Sequence, residues 1–196
     1  MQYVATGCEL LLAVVFLTAV MGKTRNRSAF RAFVGSVRRL NLLSPSRARA
    51  AAVMATAAEA MVPALFACAL MPVGPLRVQA SWFHAAALSL SLALLLAFTA
   101  VIALALVNGT QAPCRCFGAR GSVLGVRHVI RNLFLVFAAV GGLLGHMTAA
   151  ESGADGPGVV LAAATGAVLA SVFVLFDDLV ELFLPTTRPN LPEPVR

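Results

Sequence analysis

The chain has 196 residues, of which 60% are hydrophobic and 12% charged, with mean hydropathy +0.89 and a formal net charge of +7. Soluble domains lie nearer about 45–50% apolar and about 25% charged, so the composition excludes a soluble globular fold and describes an integral membrane protein. The excess positive charge flanks apolar runs, where it reads as topology and contact with anionic lipid; nucleic acid is excluded as a partner.

An apolar helix of about 20 residues spans the roughly 30 Å hydrocarbon core of a bilayer. Five runs meet that length, at 4–22, 50–71, 82–107, 129–148 and 158–176. The pattern predicts an all-α fold, a polytopic transmembrane helical bundle with a four-helix core (1–148) and an additional fifth span within 149–184. Residues 185–196 are Pro-rich and polar and are expected to be disordered. The first run is preceded by no basic segment and followed by Lys23 and Arg25 instead of a small-residue cleavage site, so no cleaved signal peptide is expected.

Residues 24–49 are too polar to cross the bilayer. Phe30, Phe33, Val34, Val37 and Leu40 recur there at helical spacing, with Arg31, Arg38 and Arg39 on other faces. That spacing fits a basic amphipathic helix in the headgroup plane, or one packed on the end of the bundle. Fourteen of the 15 Lys and Arg fall on one side of a five-span arrangement, and only Arg77 falls on the other. The positive-inside rule then places the N-terminus outside and the connection between the third and fourth spans in the cytoplasm.

That connection carries Pro113-Cys114-Arg115-Cys116-Phe117-Gly118, two thiols one residue apart in a bent polar break. The next run opens on Arg127, His128, Arg131 and Asn132. Thiolates do the work in disulfide exchange and in metal binding alike, and neighbouring guanidinium groups favour the thiolate. A disulfide across one intervening residue closes a small ring and is easily reduced, which suits a relay. The alternative is a soft-metal site built from Cys114, Cys116 and His128, and a third reading makes the pair incidental in a structural subunit.

Glu59 lies near the middle of the second span, where an ionisable side chain costs at least about 2.5–3.5 kcal/mol. It must be protonated, paired or turned to a polar cavity, with Arg131, His128 or Lys23 as candidate partners. It could manage a proton or wall a lipid quinone head group, or lock two helices together. Glu9, His84 and His146 read as interface residues, Cys8 and Cys68 as small apolar packing residues, and Gly141 with Gly145 as a helix-packing pair.

The Cys-x-Cys-Phe-Gly stretch followed by Arg131-Asn132, with Glu59 upstream and a basic segment after the first run, resembles the MauE branch of the DoxX-like membrane proteins over roughly residues 1–148. The resemblance implies a helical bundle serving the redox maturation of other proteins, as MauE serves methylamine utilisation alongside a thioredoxin-like partner. It makes Cys114 and Cys116 the exchanging pair, with Glu59, Arg131 and Asn132 as supporting polar residues. It also implies a partner outside the cytoplasm, on the side opposite to that given by the charge asymmetry.

Overall fold

A computed structural model describes residues 2–40, 44–70, 76–108, 113–114, 122–123, 126–148 and 156–183, of which 76–79, 113–114, 122–123 and 176–183 are described by their backbone alone. In chain order these residues form α1 (Gln2–Thr24), α2 (Arg27–Arg39), α3 (Pro45–Leu70), α4 (Leu76–Val107), β1 (Pro113–Cys114), β2 (Ser122–Val123), α5 (Val126–Thr148) and α6 (Gly156–Phe183). Every helix except α2 is long and apolar enough to cross a membrane. The fold is the all-α bundle that the composition predicts, with one short antiparallel pairing that sets Cys114 opposite Ser122.

Local signals set the helix ends. Asn26 caps α2, its side-chain oxygen accepting from the Ala29 amide at 2.7 Å, while Arg38 and Arg39 sit at the carbonyl end, where positive charge is favoured. Pro45 opens α3 at the position where its missing N–H costs nothing. A second proline, Pro63, lies inside α3 and has no N–H to offer the carbonyl of Glu59, four residues earlier.

α1, α3, α4 and α5 enclose most of the core, in which Leu12, Val15, Val62, Leu88, Leu95 and Leu135 are fully buried, and α6 adds Ala170 to it. Lipid tails are as apolar as these side chains, so close packing has to hold the helices together. Gly142 lets α5 come close: a Cβ there would stand 2.9 Å from Leu88 and 3.3 Å from the Cβ of Cys8. Gly141, which the sequence offers as a packing glycine, would meet nothing within 4 Å. One residue is 100° of helix, enough to move a glycine from contact to open space.

The additional helix α6 lies along α1. A Cβ on Gly166 would collide with the backbone of Gly7, and one on Gly158 would stand 2.5 Å from the Tyr3 ring. Gly166→Leu is therefore expected to push α6 off α1 and lower the melting temperature in detergent, at an overpacking cost of about 1–3 kcal/mol. Gly141→Leu, facing open space, should leave the melt unchanged; equal melts for both variants would contradict this packing.

Successive spans run in opposite directions, which gathers α2, the start of α3, β1 with β2 and the start of α5 at one end of the bundle. The apolar side of α2 is spent inside the protein, where Phe33 and Val34 are buried against Ala52 of α3. β1 in turn packs on α2.

Candidate functional site

Four charged or amide side chains are buried toward this end: Lys23 (2% exposed), Glu59 (0%), Arg131 (6%) and Asn132 (2%). Lys23 reaches it because it is the last inward-facing position of α1, a helical continuation of Val15, Phe16 and Ala19. Glu59 continues the inward stripe of α3 that runs through Ala48, Ala52 and Thr56 and on to Val62 and Phe66. Lys23 Nζ donates to both carboxylate oxygens of Glu59. The ring of Phe33 lies 4.7 Å from the ammonium and that of Phe98 5.6 Å from it. A carboxylate, an ammonium and two aromatic faces thus satisfy each other where lipid or water would otherwise have to.

Arg131 and Asn132 occupy the second turn of α5. Because Gly142 lies beside Cys8, counting back along α5 and forward along antiparallel α1 at about 1.5 Å per residue brings Arg131 within roughly one or two turns of the depth of Lys23. Among the described residues Asn132 Nδ2 has no hydrogen-bond partner, so the amide keeps a donor to spare. Arg127 and His128, one turn earlier, are half-buried.

Cys114 enters this end through the backbone of β1, which packs on the helix that carries Phe33. Its sulfur, and Arg115, Cys116, Phe117 and Gly118, lie outside the described residues. The structure therefore brings Glu59, Arg127, His128, Arg131 and Asn132 to the end of the bundle from which the Cys-x-Cys stretch departs. Among the described residues no group of three His, Cys, Asp or Glu is placed to hold a metal ion; both sulfurs of the alternative set Cys114, Cys116 and His128 fall outside them.

Sequence reasoning offered Lys23 as one of three partners for Glu59 and missed Phe33 and Phe98. Phe33 carried a signal, since it follows Lys23 by ten residues on the one amphipathic helix. Phe98 carried none, being one apolar residue among many in α4.

The opposite end holds a second polar group. His84 Nδ1 stands 3.0 Å from Glu9 Oε1, and the rings of His84 and His146 lie 5.5 Å apart. They line a cavity of about 250 Å³ with Gln2, Ala5 and Thr6. Cys8 is half-buried and Cys68 exposed, and both are free thiols.

The family model described as "Methylamine utilisation protein MauE" matches residues 1–145. The match ends within α5 and leaves α6 outside it. No curated protein and no solved structure matches the chain.

Proposed function

The chain belongs to the MauE family of methylamine utilisation membrane proteins, and from that membership we propose that it is a multi-pass thiol–disulfide oxidoreductase assisting the oxidative maturation of a partner protein. Cys114 and Cys116 are the exchanging pair, and a thioredoxin-like protein is the partner. One thiolate of the partner attacks a sulfur of the Cys114–Cys116 disulfide, and the displaced thiolate takes a proton. The partner's second thiolate then breaks the mixed disulfide and the second displaced thiolate also takes a proton, so two electrons and two protons have passed to this chain. They leave it for a lipid quinone, which becomes a quinol. The carboxylate of Glu59 is taken by Lys23, so the quinone is assigned no residue here.

The observation that carries this reading is the burial of Arg131 and Asn132 at the end from which Cys114 departs. Guanidinium groups beside a thiol favour the thiolate, both as attacker and as leaving group. A donor such as Asn132 Nδ2 suits a sulfur that carries charge during exchange. Among the described residues the same end carries ten Lys and Arg, the eight from Lys23 to Arg49 together with Arg127 and Arg131, and the positive-inside rule makes such an end the cytoplasmic side.

The test is thiol labelling in intact and in permeabilised cells with a membrane-impermeant maleimide, before and after reduction, in a Cys8→Ala/Cys68→Ala background. In permeabilised cells reduction should add two labels by mass, a gain that intact cells should not show, and Cys114→Ser should abolish that reduction-dependent gain. Full labelling without reductant under every growth condition would sink the relay. Labelling from the medium would reverse the orientation while leaving the chemistry intact.

A further inference from the structure

We propose that the arginine-bearing side of α2 is a binding surface for anionic phospholipid headgroups. Arg27, Arg31 and Arg38 fall within a narrow arc of the helix, forming a stripe about 16 Å long at 1.5 Å per residue, and all three are exposed. Arg25 at the entry to α2, and Arg47 and Arg49 at the start of α3, extend the exposed positive surface on either side. No acidic residue occurs between Glu9 and Glu59 in the sequence, and Glu59 is taken by Lys23. Among the described residues no carboxylate lies within ion-pair distance of this stripe; Arg31 Nε bonds only the carbonyl of Arg27, at 3.2 Å. The charge has to be balanced from outside the described chain.

The position of α2 favours lipid as the source. Two residues separate α2 from the end of α1, and five lie between it and α3. Both neighbours are membrane-crossing helices. The stripe is thereby held near the headgroup layer, within reach of charges that salt screens over about 8 Å. An acidic protein would meet it only on encounter, whereas headgroups face it continuously. Because Phe33 and Val34 are already buried against α3, α2 has no apolar face left to insert. Attachment is then electrostatic, sensitive to salt and indifferent to acyl chain length.

The experiment titrates full-length protein in detergent with phosphatidylglycerol or phosphatidylcholine of identical chains and counts bound lipids by native mass spectrometry. The expected result is a preference for phosphatidylglycerol that falls as salt rises. At about fivefold for each arginine near an anionic surface, R27Q/R31Q/R38Q should lose about a hundredfold of that preference with an unchanged melting temperature. Equal binding of the two lipids, or a triple variant that keeps the preference, overturns the proposal. So does competition by soluble glycerol phosphate at the lipid's own concentration, which would identify a free phosphate ester as the ligand. Displacement of phosphatidylglycerol by polyglutamate at equal charge would identify an acidic protein face instead. None of these outcomes bears on the thiol chemistry of Cys114 and Cys116.

Discussion

Lys23→Met alone should destabilise the bundle by about 3–5 kcal/mol, the range that follows removal of one member of a buried ion pair. The reason is what stays behind. Glu59 is fully buried and has both oxygens turned to the ammonium, so the variant holds a carboxylate with no cation and two aromatic rings that faced a charge. Glu59→Leu alone should cost a comparable amount, because it strands the ammonium. The double variant Lys23→Met/Glu59→Leu should recover most of the loss, since two apolar side chains of similar volume need neither partner nor water. Unfolding in bicelles, read as a double-mutant cycle, separates the pair from its members. A Lys23→Met protein as stable as the parent would show that Glu59 does not depend on Lys23, and the account of this end of the bundle would fail.

The pair also marks how far the sequence could be read. That Glu59 needed a partner was legible, because the cost of a charge in hydrocarbon does not depend on the fold. Which partner was not. Lys23 reads as a flanking basic residue of the kind that sets orientation, and Arg131 and His128 lie near enough in nominal depth to compete. Choosing among them takes the rotation of α1 about its own axis, and that is decided by packing. The same holds at the other end, where Glu9, His84 and His146 read as three separate interface residues until the pairing of α1, α4 and α5 gathers them round one cavity. Span number and order were legible from hydropathy alone. Half of the glycine pair was legible: Gly145 is buried, whereas Gly141 faces open space and the close contact falls on Gly142, because a spacing rule cannot tell which face of α5 looks inward.

Arg131→Gln should slow alkylation of the Cys114–Cys116 pair at neutral pH by about tenfold or more, if a neighbouring cation shifts a thiol by one to three units. Arg131 is the stronger test of the proposed chemistry because it is buried, so solvent screens its charge less than that of half-exposed Arg127. Arg127→Gln should therefore give a smaller effect. Glutamine keeps hydrogen-bonding capacity at this position while removing the charge, and Arg131→Lys restores the charge without the planar fork. A rate recovered by lysine and lost with glutamine assigns the effect to electrostatics. A rate lost in both variants assigns it to the geometry of the guanidinium. The measurement is alkylation by neutral iodoacetamide in reduced protein lacking Cys8 and Cys68, with the melting temperature followed alongside. Lys23→Met supplies the contrast, because it removes a cation already neutralised by Glu59 and should lower the melt far more than the alkylation rate. If Arg131→Gln leaves the rate unchanged in a normally folded protein, then positive charge at the mouth of α5 serves the bundle and not the sulfurs.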